Sequence, residues 1–133
     1  MIQVTAGIIL RDDEVLIAKR GGGGNLDGKW EFPGGKIKSD ESPQACLRRE
    51  LVEELDVTVE VGEFFGENVY EYRDKTVRLL GFFAKWVDGD IKPQVHREVE
   101  WAKISSLTDY DFLPADLPLV KKLINENQSS APH

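Results

Sequence analysis

The chain has 133 residues, 41% of them hydrophobic and 31% charged, with a formal net charge of −7 at pH 7. That length suits one compact domain with a real core, and no apolar run approaches the roughly 18 residues a membrane span needs. The acidic balance argues against sequence-independent binding to a nucleic-acid backbone and fits cation binding better.

Met1 to Leu10 lacks a basic start and a small-residue cleavage site, so it reads as a first strand rather than a signal peptide. Asp12-Asp13 supplies a turn, and Glu14 to Lys19 resumes as a strand, which predicts a β-hairpin. Gly21 to Lys29 is a glycine-rich loop, followed by the short aromatic segment Trp30-Glu31-Phe32 and the breaker Pro33-Gly34-Gly35. Ser42 is a good N-cap and Pro43 suits the first turn of a helix, while Leu47, Leu51 and Leu55, with Val52 beside them, form its apolar stripe. Further strands are expected over Val57 to Phe65, Asn68 to Tyr72, Thr76 to Val87 and Glu98 to Ala102. Pro118 to Asn125 reads as a second helix. The expected organisation is a single domain over 1–126 and a polar tail over 127–133, with no repeat or internal linker. The single cysteine, Cys46, excludes an internal disulfide and agrees with a cytoplasmic protein.

The chemistry concentrates in Arg49-Glu50-Leu51-Val52-Glu53-Glu54. On a helix, Glu50, Glu53 and Glu54 fall within roughly a 100° arc, away from the leucine face. Like charges on one face cost an isolated helix a few tenths of a kcal/mol, which magnesium would relieve because it takes carboxylate oxygens. Arg49 stands four residues before Glu53 and can orient it by an ion pair. A solvated acidic face is the plain alternative. Gly34 and Gly35 permit tight turns with carbonyls free to approach a ligand, and Glu41 stands within reach of the same cluster.

Gly35, Glu41, Arg49, Glu50, Leu51, Glu53, Glu54 and Val57 match the Nudix box, written G-x5-E-x7-R-E-U-x-E-E-x-G-U with U aliphatic. The one departure is Asp56 in place of the last glycine, a helix-ending position where Asp is among the few tolerated substitutes. The chain thus resembles the Nudix hydrolases. The segments Trp30 to Gly35 and Phe112 to Pro118 are similar to those of MutT-type and CTP pyrophosphohydrolase-like members.

The resemblance implies an α/β (α+β) fold, a mixed β-sheet held between helices. It also implies a magnesium site, with manganese as an alternative, at Glu50, Glu53, Glu54 and the Gly34 carbonyl. The implied reaction is attack of water on a phosphorus of a nucleoside triphosphate, releasing the monophosphate and pyrophosphate. Within the resemblance Arg20 contacts the nucleotide, a reading favoured over a plain strand-end surface charge because a net acidic protein needs some cation for the α-phosphate. Many members carry a further carboxylate at a place that falls near Val95 here, so Glu98 becomes the candidate, and the general base stays unassigned between Glu98, Glu53 and Glu54. His96 reads as a surface imidazole.

Asp116 either accepts N–H groups of the base or caps the last helix, and one residue can do both. Phe32 and Leu113 offer apolar contact to the base, or are plain core. Favoured substrates are (d)CTP, modified cytidine nucleotides and 8-oxo-dGTP. A small-molecule nucleotide is the expected partner, with no nucleic-acid polymer and no membrane, in a monomer or homodimer. The rival readings are a non-hydrolytic nucleotide-binding module, a hydrolase of another nucleoside diphosphate derivative, and a bare cation binder. Gly23 to Lys29 nearly spells a phosphate-binding P-loop, but Trp30 replaces the needed hydroxyl and a strand follows instead of a helix.

Overall fold

The computed structural model describes residues 1–21, 23–92 and 98–129, with the backbone alone at 128 and 129. The expected extended segments become strands β1 (Ile2–Arg11), β2 (Glu14–Lys19), β3 (Trp30–Glu31), β4 (Thr58–Glu71), β5 (Thr76–Asp88) and β6 (Glu98–Lys103). Helix α1 spans Pro43–Leu55 and α2 spans Leu117–Ser129. The hairpin forms as expected, pairing Leu10 with Val15 and Arg11 with Glu14, with Asp12 in a left-handed turn at φ 54°. The sheet is mixed: β1 runs parallel to β5, and the other pairings are antiparallel. Its order is β3-β2-β1-β5-β4, with β6 on β2.

Successive side chains on a strand point to opposite faces, and here both faces are apolar. Ala6, Ile8, Val15, Ile17 and Leu79 pack with Leu119, Val120 and Leu123 of α2. Ile9, Leu16, Leu80 and Phe82 pack with Leu47, Leu51 and Leu55 of α1. The sheet is therefore held between two helices, as the Nudix resemblance implies.

Three expectations change. Val57–Phe65 and Asn68–Tyr72 are one strand, β4, because irregularities at Val61/Phe64 and Phe64/Gly66 absorb the break and the ladder with β5 resumes at Gly66. Helix α2 runs through Ser129, four residues beyond its apolar pattern, so Glu126 to Ser129 are helical rather than frayed. Val52 is 50% exposed, and Cys46 takes its place in the buried stripe of α1. Among the described residues, no helix is long and apolar enough to cross a membrane.

Candidate functional site

Helix α1 is fixed at both ends by its own sequence. Ser42 Oγ accepts from the Ala45 N–H at 3.1 Å, and Pro43 opens the first turn. Asp56 adopts φ 58°, ψ 37°, while the Asp56 and Val57 N–H groups reach back to the carbonyls of Val52 (3.0 Å) and Leu51 (3.4 Å). This double bond closes the helix in the manner usually served by glycine. With Cys46, Leu47, Leu51 and Leu55 buried against the sheet, Arg49, Glu50, Glu53 and Glu54 are carried elsewhere on the helix surface.

The segment Pro33 to Ile37 lies along β1. The Thr5 N–H donates to the Gly35 carbonyl (2.8 Å), the Gly7 N–H to Pro33 (2.7 Å), and the Ile37 N–H to Gln3 (2.9 Å). Carbonyls alternate in direction along an extended chain, so the intervening Gly34 carbonyl faces away from β1. A side chain at either glycine would displace a neighbour. A Cβ at Gly34 would overlap the Thr5 carbonyl, and one at Gly35 would stand 2.6 Å from Glu50 Oε1. The Glu50 carboxyl group therefore rests directly on the glycine loop. Thr5 and Cys46 brace that loop from below: Thr5 Oγ1 lies 3.3 Å from the Gly35 carbonyl, and Cys46 Sγ lies 3.3 Å from that of Lys36.

Arg49 organises the carboxylates. Its Nε and Nη2 grip Glu41 at 3.1 and 2.6 Å, and Nη2 also donates to the Lys36 carbonyl at 3.1 Å. Nη1 donates to Glu50 Oε1 at 2.9 Å and to Glu53 Oε2 at 3.1 Å. This forked pair, with help from the Lys38 N–H, pulls the Glu41 carboxyl down to about 2, and Glu41 in turn holds the Arg49 guanidinium more firmly protonated.

Beside the glycine loop lies a cleft of about 310 Å³, lined by Gly34, Gly35, Glu50 and Glu54 together with Arg20, Phe32, Leu113 and Asp116. Asp116 is 3% exposed, and its Oδ2 accepts the Phe32 backbone N–H at 3.0 Å. Through that bond the carboxyl reaches across 84 residues to the backbone that follows β3. Its position is fixed by the neighbouring Ala115, whose carbonyl accepts from Asn68 Nδ2 (3.0 Å) and whose N–H donates to the Tyr72 hydroxyl (3.2 Å). Burial, and then the charge of Glu31, push the Asp116 carboxyl well above the usual carboxylate range. Arg20 is ion-paired to Glu31 at 3.4 Å. Phe32 and Leu113 are both core and cleft wall.

Glu53 and Glu98 are not brought to the cleft lining. The Glu53 side chain is 55% exposed and turned to Arg49, and Glu98 is exposed on β6 opposite Lys19. Among the described residues no three His, Cys, Asp or Glu side chains stand gathered for a metal ion, since Glu50 and Glu53 spread around Arg49. Val95 and His96 lie outside the described residues. The sequence reading missed Glu31, Tyr72 and Lys75 at the cleft, and Asn68, which holds Ala115. Only Glu31 had a local signal, standing between Trp30 and Phe32; the others reach the site through tertiary contacts.

Residues 1–123 match the family described as NUDIX domain. The chain is 35% identical over 121 residues to the CTP pyrophosphohydrolase of Escherichia coli (strain K12), covering 91% of this chain and 90% of that protein. It is 32% identical over 123 residues to the 8-oxo-dGTP diphosphatase of the same strain, covering 92% and 95%. Among solved structures, it is similar to the E. coli ORF135 protein in solution, with TM-score 0.83 and 31% identity, covering 99% and 94% of the two chains. It also matches the crystal structure of a MutT protein from Methanosarcina mazei Go1, with TM-score 0.84 and 26% identity, covering 96% and 95%.

Proposed function

The chain belongs to the Nudix family and is a nucleotide pyrophosphohydrolase, and we propose that it cleaves (d)CTP, modified cytidine nucleotides or 8-oxo-dGTP to the monophosphate and pyrophosphate as a nucleotide-pool sanitiser. We place it in the cytoplasm, as a monomer or homodimer with no nucleic-acid polymer as partner. The observation that carries this reading is one cleft lined both by the loop-bound Glu50 with Glu54 and by the buried Asp116.

The donor chemistry fits a hard divalent cation, because carboxylate oxygens and a backbone carbonyl are what magnesium takes. Glu50, Glu53, Glu54 and the Gly34 carbonyl would hold Mg2+, or Mn2+ in its place, and the absent side chain at Gly35 makes room for the Glu50 carboxylate on that loop. Bound there, the cation would lower the pKa of water and neutralise charge developing on phosphate oxygens. The charge balance favours such a requirement: the cleft is lined by Arg20, Lys36 and Lys75 against Glu31, Glu50, Glu54 and Asp116. A triphosphate entering that balance meets no surplus of protein cations.

The chain's own residues then divide the work. Arg49 positions Glu50 and Glu53. Arg20 meets the nucleotide, Phe32 and Leu113 flank the base, and Asp116 hydrogen-bonds its edge. Water attacks a phosphorus of the triphosphate, the P–O anhydride bond breaks, pyrophosphate leaves, and a carboxylate takes the proton. Glu54 lines the cleft whereas Glu53 and Glu98 do not, so Glu54 stands ahead of both as that base.

The test is pyrophosphate release from dCTP, 5-methyl-dCTP, dGTP and 8-oxo-dGTP with magnesium. One base well above the others is expected, and a blank panel would leave the non-hydrolytic binding module or another nucleoside diphosphate derivative. Glu53→Gln should lower turnover by roughly tenfold or more while leaving stability within about 0.5 kcal/mol, given its exposure. Unchanged turnover at saturating magnesium removes Glu53 from the ligand set.

A further inference from the structure

Asp116 is the only fully buried carboxyl group among the described residues. An ionised carboxylate is costly to bury unless cations or several N–H groups compensate it. Here one N–H does so, from Phe32 at 3.0 Å. The cation acting on Asp116, Arg20 just after β2, is paired with Glu31 of β3. Other charged or titratable groups facing the cleft are Tyr72 and Lys75 at the β4–β5 turn, Lys36 on the glycine loop, and Glu50 and Glu54 of α1. Of these, the Tyr72 hydroxyl accepts the Ala115 N–H. On α2, Lys122 donates to the Phe65 carbonyl and Lys121 is exposed. The side chains of Leu113, Ala115 and Phe32 supply only apolar surface. Geometry thus supplies little to stabilise a charge at Asp116, and burial together with Glu31 raises its pKa.

The two forms of this carboxyl recognise different partners. A carboxylic acid offers one O–H donor beside an acceptor, whereas a carboxylate offers acceptors only. With Oδ2 already accepting from Phe32, the acid can donate from Oδ1 to a ring nitrogen and accept an exocyclic amine on the second lone pair of Oδ2. That pattern is complementary to cytosine, whose N3 accepts and whose N4 amine donates. The carboxylate instead complements two adjacent donors, the N1–H and N2–H of a guanine-type base.

We propose that Asp116 reads the base as a neutral carboxylic acid that prefers the cytosine edge, and that its ionisation turns the cleft toward the guanine-type edge. This rests on the reading of the cleft as a base site, and it gives one residue control over the ranking of the two substrate classes.

Two measurements test it. Carbon-13 NMR of labelled aspartate carboxyl groups, with the Asp116 resonance identified by its loss in D116N, should show Asp116 still protonated where surface aspartates have ionised. The ratio of kcat/KM for dCTP over that for 8-oxo-dGTP should fall about tenfold or more through the Asp116 titration. In Asp116→Asn, a permanently neutral donor and acceptor, the ratio should hold its low-pH value at every pH. An Asp116 that ionises with the surface aspartates overturns the proposal, as does a ratio that passes through its titration unchanged while both substrates are turned over. If no triphosphate is cleaved at any pH, the base-site reading falls and takes this inference with it.

Discussion

Replacing Gly34 and Gly35 one at a time by alanine adds the same methyl group to adjacent residues, against neighbours of different kinds. At Gly34 the obstacle is backbone: the new carbon would overlap the Thr5 carbonyl and approach Ala6 Cα to 3.1 Å. The loop can yield only by leaving β1, which breaks the bonds from the Thr5 N–H (2.8 Å) and the Gly7 N–H (2.7 Å). Both donors are buried, and each unsatisfied group costs about 1–3 kcal/mol, so Gly34→Ala should cost about 2–6 kcal/mol. In a domain of this size that lowers Tm by roughly 10 °C or more. At Gly35 the obstacle is the Glu50 carboxyl group, at the end of a rotatable side chain. It can swing aside for about 1 kcal/mol, within the usual cost of an off-rotamer side chain. A displacement of about 1 Å in a catalytic group can still cost on the order of 100-fold. Gly35→Ala should therefore stay folded and lose about 100-fold in kcat/KM, close to 2.7 kcal/mol. Thermal unfolding and pyrophosphate release at saturating magnesium read the two losses separately. On a Glu50→Gln background the Gly35→Ala penalty should shrink to within about threefold, because both changes act on one carboxylate. Equal stability of the two alanine variants, or a Gly35→Ala penalty undiminished on that background, would refute the reasoning.

Glu41 titrates at about 2 because of Arg49, so its contribution is complete above the ordinary value of 4.5 and disappears as pH falls toward about 2. Glu41→Gln should be less stable than the parent at neutral pH, with the gap closing across that window in urea unfolding; a gap independent of pH would discount the Arg49 pair. Asp116 is shifted the opposite way, so its contribution is complete below the ordinary value of 3.8 and is lost as pH rises through its raised value. Asp116→Asn, which keeps an acceptor for the Phe32 N–H, should gain stability on the parent as pH rises, and no gain would mean the carboxylate is compensated after all. Asp56→Gly relieves a non-glycine residue at φ 58° and should stabilise by about 0.5 kcal/mol, whereas a lower Tm would show that the Asp56 side chain makes a compensating contribution.

What could be read from the sequence was local. The Ser42 cap, the leucines four residues apart and the left-handed Asp56 each act within one or two turns of chain, and α1 forms where they place it. The mixed sheet was implied by the Nudix resemblance, and the continuous buried runs of β1 and β2 fit a sheet covered on both faces. Break residues were harder: Gly66 looks like the end of a strand, yet it pairs with Gly81 and β4 continues. Val52 looked like core because it adjoins Leu51, but only one arc of the helix faces the sheet. The bond that holds Asp116 could not be foreseen, since its partner, Phe32, is 84 residues away and donates through its backbone. Spacing cannot foresee such a bond, nor the grip of Asn68 and Tyr72 on Ala115.

Arg49 shows how an acidic helix face can serve an anionic substrate. A guanidinium has five N–H donors. Those of Arg49 are engaged by Glu41 twice, the Lys36 carbonyl, Glu50 and Glu53. None remains to bind phosphate without surrendering one of these partners, so the residue acts on substrate only through the carboxylates it holds. Its positive charge offsets their mutual repulsion, and its planar fork fixes their spacing in a way a lysine ammonium would not. The cations left to face a nucleotide are Arg20, Lys36 and Lys75, and Arg20 already shares its charge with Glu31. An arrangement that spends its best-placed arginine on aligning carboxylates makes chemical sense only if those carboxylates bring in positive charge from outside the chain. The proposed dependence on a divalent cation thus rests on how the arginine is used as much as on the glutamates themselves.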